Sequence, residues 1–310
     1  MKKIERRQFL RGSGQILGSL GLASCFTGPV HASEGKVDQS KYANCYGILF
    51  DATKCIGCRT CEMACNIANK MPKPTVDFQD LRVFDKRRRT GLSSHTVVNR
   101  FLPDEKSENM KYNPVFIKYQ CMHCNKPACV SACIVKALRK TEQGMVKYSA
   151  YDCIGCRYCM IACPYEIPAY EYADPLTPRV KKCTLCETRI AESKLPACVE
   201  ACPQQTMLFG SRGELIKIGH DIIKKNPGKY IDEIYGENVL GGTSWMYLLP
   251  LKPSKLGLPE YSERPAPAQS ESIQHSVFKY FIPPILLYIV LGAMMWRTNR
   301  IHHKDEGGKS

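Results

Sequence analysis

The sequence predicts an α+β protein with sparse secondary structure, followed near the C-terminus by a single transmembrane helix. Three features lead to that reading. Sixteen of the 18 cysteines fall into four closely spaced tetrads, which leaves little unbroken chain for long elements. Short alternating apolar runs bounded by turn residues read as strands. One long apolar run, residues 277–296, stands behind a Pro/Ser-rich stretch.

Residues 1–32 read as an export signal and are set apart from the fold. Arg6-Arg7-Gln8-Phe9-Leu10-Arg11 is a twin-arginine pattern, and a Gly-rich, mildly apolar stretch follows it. Val30-His31-Ala32 supplies small residues for cleavage after Ala32. Leu22-Ala23-Ser24-Cys25 also fits a lipoprotein box, so the mature chain begins at Ser33 or, alternatively, at a lipidated Cys25.

Residues 33–261 form the expected body. The first tetrad (Cys55, Cys58, Cys61, Cys65) and the third (Cys153, Cys156, Cys159, Cys163) share the spacing x2, x2, x3. The second (Cys121, Cys124, Cys129, Cys133) has x2, x4, x3, and the fourth (Cys183, Cys186, Cys198, Cys202) has x2, x11, x3. The third and fourth close with Cys-Pro. Three near thiolates and a fourth before proline suit a cubane corner whose fourth cysteine serves a second cluster. At four thiolates each, the tetrads supply four [4Fe–4S] clusters. Disulfides are the usual fate of cysteines in exported chains, yet many of these cysteines have only close sequence neighbours to pair with. Structural zinc takes four ligands in all, often as two separated pairs. Clusters need reduced thiolates, which the cytoplasm maintains and the periplasm does not. A twin-arginine signal, whose route carries folded cargo, is therefore the export signal that such a chain requires.

Gly47–Asp51 and Met207–Gly210 are expected edge strands flanking the tetrads. Residues 66–120 form an insertion of charged loops with a Phe116-Ile117 strand. Leu138–Thr141, the turn Glu142–Gly144 and Met145–Tyr148 read as a hairpin. Short helices are expected after each third cysteine, for example Arg157–Ala162, and Glu214–Lys225 reads as an amphipathic helix. Gly236–Thr243 lacks the Lys-Ser/Thr of a phosphate loop and reads as a loop packed on the body or a partner. Metal–thiolate bonds are expected to supply folding energy where apolar core is limited. Cys45, outside every tetrad, is an expected free buried thiol.

The net charge is +15, of which residues 1–32 hold +4 and the remainder +11. Four oxidised clusters contribute about −8, so the basic excess offsets buried anions and nucleic-acid binding is excluded. Lys86-Arg87-Arg88-Arg89 reads as a solvated loop. Residues 262–276 are an expected linker. As a helix, residues 277–296 would rise about 30 Å, the thickness of the hydrocarbon core. Tyr280 and Trp296 stand near its boundaries. Arg297, Arg300 and Lys304 place the 297–310 tail in the cytoplasm and the body on the periplasmic side of the membrane. No nucleophile–base pair or flavin motif is present, which points away from substrate chemistry.

Over about Gly47–Phe209 the tetrads resemble the four-cluster iron–sulfur subunits of dimethyl sulfoxide reductase and formate dehydrogenase. Cys121-Met122-His123-Cys124, Tyr235-Gly236-Glu237, Gly241-Gly242-Thr243 and Ile273-Gln274-His275 narrow the resemblance. With them the chain is similar to the ferredoxin-type subunits of membrane-bound [NiFe] hydrogenase 2. The resemblance implies two pseudo-symmetric double-cluster ferredoxin-like lobes. Cys55, Cys58 and Cys61 would share a cluster with Cys202, and Cys183, Cys186 and Cys198 with Cys65. Cys121, Cys124 and Cys129 would share one with Cys163, and Cys153, Cys156 and Cys159 with Cys133. Ile134 stands where proline commonly follows the fourth cysteine. The implied role is a non-catalytic relay between the hydrogenase small and large subunits and an integral membrane quinone-reactive subunit. The alternative is the equivalent subunit of a molybdopterin oxidoreductase acting on formate or on sulfur, nitrogen or arsenic compounds. A redox sensor is disfavoured, since one labile cluster suffices for sensing. His123 either packs or donates to a cluster sulfur, and His275 is a candidate neighbour of a quinone site.

Overall fold

The computed structural model describes residues 37–102, 114–174, 179–268, 270–271, 285 and 287–297. The expected export signal with Cys25, and His275 and Tyr280, lie outside the described residues.

Strand β1 (Tyr46–Asp51) is buried on both faces apart from its first residue, as its Ile-Leu-Phe run favours. It is not the edge strand expected. Strands β2 (Thr96–Phe101) and β3 (Val115–Gln120) form an antiparallel pair. The hairpin of β4 (Leu138–Lys140) and β5 (Val146–Tyr148) follows, then the short pair β6 (Ala169–Tyr170) and β7 (Val180–Lys181). After the fourth tetrad come β8 (Met207–Ser211), β9 (Ile234–Tyr235) and β10 (Trp245–Leu248). The main sheet runs β8-β1-β10-β9, with β1 parallel to β10 and antiparallel to β8. Strand β10, which pattern reading missed, thus closes the body by pairing chain from its two ends.

The period of two along β1 divides the core. Leu49 packs with Met246, Leu248 and Ile234 beneath helix α6 (Arg212–Lys225), through Leu215 and Ile223. Ser211 accepts from the Glu214 N–H at the start of α6, and Lys224 and Lys225 end it, in keeping with the helix dipole. Ile48 and Phe50 face the other way, onto Trp245, Tyr247, Ile117 and Cys61. This apolar core is larger than a cluster-built fold led us to expect.

Helices α1 (Thr60–Ala68), α2 (Ala128–Ser131), α3 (Tyr158–Ala162), α4 (Glu187–Ala191) and α5 (Ala197–Glu200) are short. Four of them contain the third cysteine of a tetrad instead of following it. The Gly236–Thr243 stretch packs on the body, where buried Arg212 donates to the Thr243 and Glu237 carbonyls. Pro265 and Pro267, in the expected linker, are buried.

Two expectations are corrected. The described residues form a mixed helix and strand structure, and the transmembrane helix expected at residues 277–296 is not seen among them. Among the described residues no helix is long and apolar enough to cross a membrane. The second correction concerns the 86–89 run, which is not simply solvated. Arg88 pairs with buried Glu62, Arg87 donates to the Gly257 carbonyl, and Arg89 bridges to Glu166.

Candidate metal centres

Each tetrad opens with a Cys-x-x-Cys turn, and the residue before its second cysteine is left-handed in all four. Gly57 has φ +72°, His123 +48°, Gly155 +70° and Leu185 +56°. The same conformation recurs three residues after Cys133, Cys163 and Cys202, at Lys136, Glu166 and Gln205. Left-handed residues set among right-handed ones turn successive N–H groups inward and form an anion-binding nest. The Leu185 N–H donates to the Cys183 sulfur at 3.4 Å. Backbone N–H groups of Tyr165, Glu166 and Ile167 likewise face Cys163 and oppose the upward push of burial on its thiol. The first and third tetrads also match at Arg59 (φ +61°) and Arg157 (φ +60°), which begin α1 and α3.

The chain path gathers the sixteen cysteines into four sets, each drawing three from one tetrad and one from another. Cys55, Cys58, Cys61 and Cys202 line one cavity (set I). Cys65, Cys183, Cys186 and Cys198 line a second (set II). The Cys124 thiol feels Cys121, Cys129 and Cys163 (set III), and the Cys159 thiol feels Cys153, Cys156 and Cys133 (set IV). The sets adjoin in series. Cys61 interacts with Cys198, Cys183 with Cys121, and Cys129 with Cys159. Cys58 and Cys156, in the two end sets, are the exposed members.

The donor chemistry fits [4Fe–4S] clusters. The described cysteines are free thiols. Among the described residues no three His, Cys, Asp or Glu groups converge to hold a single metal ion, whereas zinc draws its sulfurs to one point at about 2.3 Å. Burial pushes the Cys55 thiol up to about 11 and those of Cys65 and Cys129 up to about 12. Such thiols stay protonated at neutral pH and are poor nucleophiles; they would serve as ligands only where bound iron displaced the proton.

The 4Fe-4S dicluster domain family matches residues 112–212, which span the second, third and fourth tetrads. A Nitratidesulfovibrio vulgaris protein is 48% identical over 258 residues, covering 83% of this chain and 67% of the relative. The hydrogenase-2 operon protein HybA of Escherichia coli O157:H7 is 33% identical over 293 residues, covering 84% of this chain and 87% of the relative. The chain belongs to the HybA and formate dehydrogenase iron–sulfur subunit family. The nitrate-inducible formate dehydrogenase iron–sulfur subunit of Escherichia coli K12 is 34% identical over 209 residues, 65% of this chain and 67% of the relative. This iron–sulfur subunit is an electron-transfer protein.

Two positions in the subunit, Lys118 and Glu62, escape sequence reading, whereas His123 and Cys45 are singled out by it. Lys118 on β3 is buried and lines the cavities of both set I and set II. Burial alone would lower its pKa, but Cys198, Cys61, Cys183 and Cys65 more than offset this and raise it. A lysine inside the apolar run Val115-Phe116-Ile117, three residues before Cys121, was the available signal. Glu62, within the first tetrad, is buried against Arg59 and Arg88. His123 is fully buried, its Nδ1 accepts from the Val146 N–H at 2.9 Å, and it thereby ties β5 to the second tetrad. Burial first, then Lys182 and Lys140, holds it well below the usual histidine range and therefore neutral. Cys45 is buried and donates to the Glu142 carbonyl.

Proposed function

We propose that the chain relays electrons through four [4Fe–4S] clusters between a [NiFe] hydrogenase catalytic dimer and a membrane quinone-reactive subunit. The observation that carries the four-cluster reading is the gathering of sixteen cysteines into four successive, adjoining sets. Set I would be held by Cys55, Cys58, Cys61 and Cys202, set II by Cys65, Cys183, Cys186 and Cys198, set III by Cys121, Cys124, Cys129 and Cys163, and set IV by Cys133, Cys153, Cys156 and Cys159. Bound clusters supply reversible one-electron chemistry. The chain supplies thiolates, inward N–H groups and a dry interior, which tune potential through hydrogen bonding, charge and burial. Exposed Ile56 beside Cys58, and exposed Ile154 and Tyr158 around Cys156, give the end sets apolar surroundings suited to partner contact.

HybA, whose name refers to a hydrogenase-2 operon, aligns over more of both chains than the formate dehydrogenase subunits do. This favours the hydrogenase partner. The formate dehydrogenase relatives support the alternative, a molybdopterin partner. Export through the twin-arginine route after cluster loading belongs to the same proposal, with the body facing the periplasm. The test begins with anaerobically purified protein, whose iron and acid-labile sulfide should approach about sixteen each, four per cluster. Cys202→Ala should remove the set I cluster and leave three. Deleting the gene should abolish hydrogen-dependent quinone reduction; retention of that activity would overturn the hydrogenase assignment.

A further inference from the structure

Lys118 lies where a cation is hard to justify by the protein alone. Its side chain is buried, and its Nζ donates to Thr96 Oγ1 at 2.8 Å and Gln120 Oε1 at 3.0 Å. It also sits 4.4 Å from the Trp245 ring centroid. These partners are neutral, and among the described residues no carboxylate pairs with it. Buried Arg59 and partly buried Arg88 show the contrast, since both reach Glu62. An ammonium taken out of water needs compensating negative charge. The groups that surround Lys118 and can carry such charge are the cysteine sets on either side.

We propose that Lys118 is a positioning residue shared by two clusters, its buried ammonium raising the reduction potentials of sets I and II together. The assignment rests on the four-cluster reading. A fixed positive charge stabilises the more negative, reduced form of each neighbouring cluster. Because one charge faces both cavities, its removal lowers both potentials in the same direction. Set III has a cation of its own. Lys140 interacts with Cys124 and Cys121 and donates to the His123 carbonyl. Lys118 would therefore match the potentials of the first two stations in the series without touching the other two.

The experiment is a redox titration of the full-length, cluster-loaded protein, monitored by electron paramagnetic resonance with spin integration. Lys118→Met should keep four clusters while two midpoints fall. At a fixed potential near each midpoint, the reduced-to-oxidised ratio should drop about tenfold, equivalent to 59 mV for a one-electron couple. Lys118→Arg keeps the charge and should leave both midpoints close to wild type. Lys140→Met should move a different cluster. If Lys118→Met sheds clusters, Lys118→Gln provides a polar substitute. Loss of the same two clusters in both variants, with retention in Lys118→Arg, also supports the assignment. Unmoved potentials on four intact clusters, a shift in one cluster alone, or an arginine variant that behaves like methionine overturns it. A wild-type count below four instead overturns the four-cluster reading.

Discussion

Glu62 should be among the most sensitive positions in the body that is not itself a ligand. Its carboxylate accepts five hydrogen bonds. Oε1 receives Arg88 Nη2 at 2.6 Å and the Val98 N–H at 2.6 Å, and Oε2 receives Arg88 Nη1 at 3.0 Å and Arg59 Nη2 and Nε at 3.1 and 3.3 Å. Glu62 and Arg59 side chains are 1% and 2% exposed, so screening by water is minor. Through the Val98 N–H and Arg88, the Glu62 carboxylate pins α1, which carries Cys61 and Cys65, to β2 and to the 86–89 loop. Removing one member of a buried pair costs about 3–5 kcal/mol, because the stranded charge remains. Glu62→Gln keeps the volume, but it loses the charge and places an amide donor against a guanidinium. We expect a loss of about 3 kcal/mol, which lowers the urea midpoint by about 1 M at a slope of about 3 kcal/mol/M. Circular dichroism of anaerobic protein reads the midpoint, and chelator-driven iron loss should accelerate in the clusters of sets I and II, which α1 supplies. A cycle with Arg88→Met should show coupling of about 1–3 kcal/mol. A midpoint within about 0.3 M of wild type and no coupling would refute the reasoning.

Three further outcomes follow from single residues. A Cβ at Gly57 would overlap the Phe116 ring in a left-handed backbone, so Gly57→Ala should cost about 2–3 kcal/mol, while Gly91→Ala, with nothing near its Cβ, should be neutral in the same melts. His95 is buried with no partner for either ring nitrogen among the described residues, and burial first, then Lys182 and Lys181, lowers its pKa to about 4. Between about pH 6.5 and 4 the unfolded chain then binds a proton that the folded one refuses, so stability falls with acid by about 3 kcal/mol; His95→Phe should flatten that limb, and an unchanged pH profile would count against it. Cys45→Ala should leave iron and sulfide content unchanged, because Cys45 stands outside the four sets; a fall in iron measured by plasma emission would contradict its placement.

Local pattern was a good guide wherever the cause was local. The β4/β5 hairpin, the strand before Cys121 and helix α6 lie where periodicity and turn residues put them. Reading failed where tertiary contacts decide. Strand β1 looked like an edge because nothing nearby in sequence signals β10, almost two hundred residues on. Arg88 looked solvated because its buried partner is on another element. The apolar run near the C-terminus suggested a membrane span by composition, yet among the described residues no helix is long and apolar enough to cross.

By itself the sequence determined the ligand supply: sixteen thiolates in four tetrads, with spacing that suits cubanes better than zinc or disulfides. Coordination chemistry makes that legible, because three ligands of a corner must come from one short loop. Which tetrad lends its fourth cysteine to which set depends on how distant segments cross, and spacing carries no such information. Tertiary structure alone placed His123 and Leu185 in the left-handed turns that glycine marks elsewhere, and set Lys118 between two cysteine sets. Burial and electrostatic neighbourhood are properties of the packed chain, so a lysine in an apolar strand acquires its meaning only when the sheet and both cavities close around it.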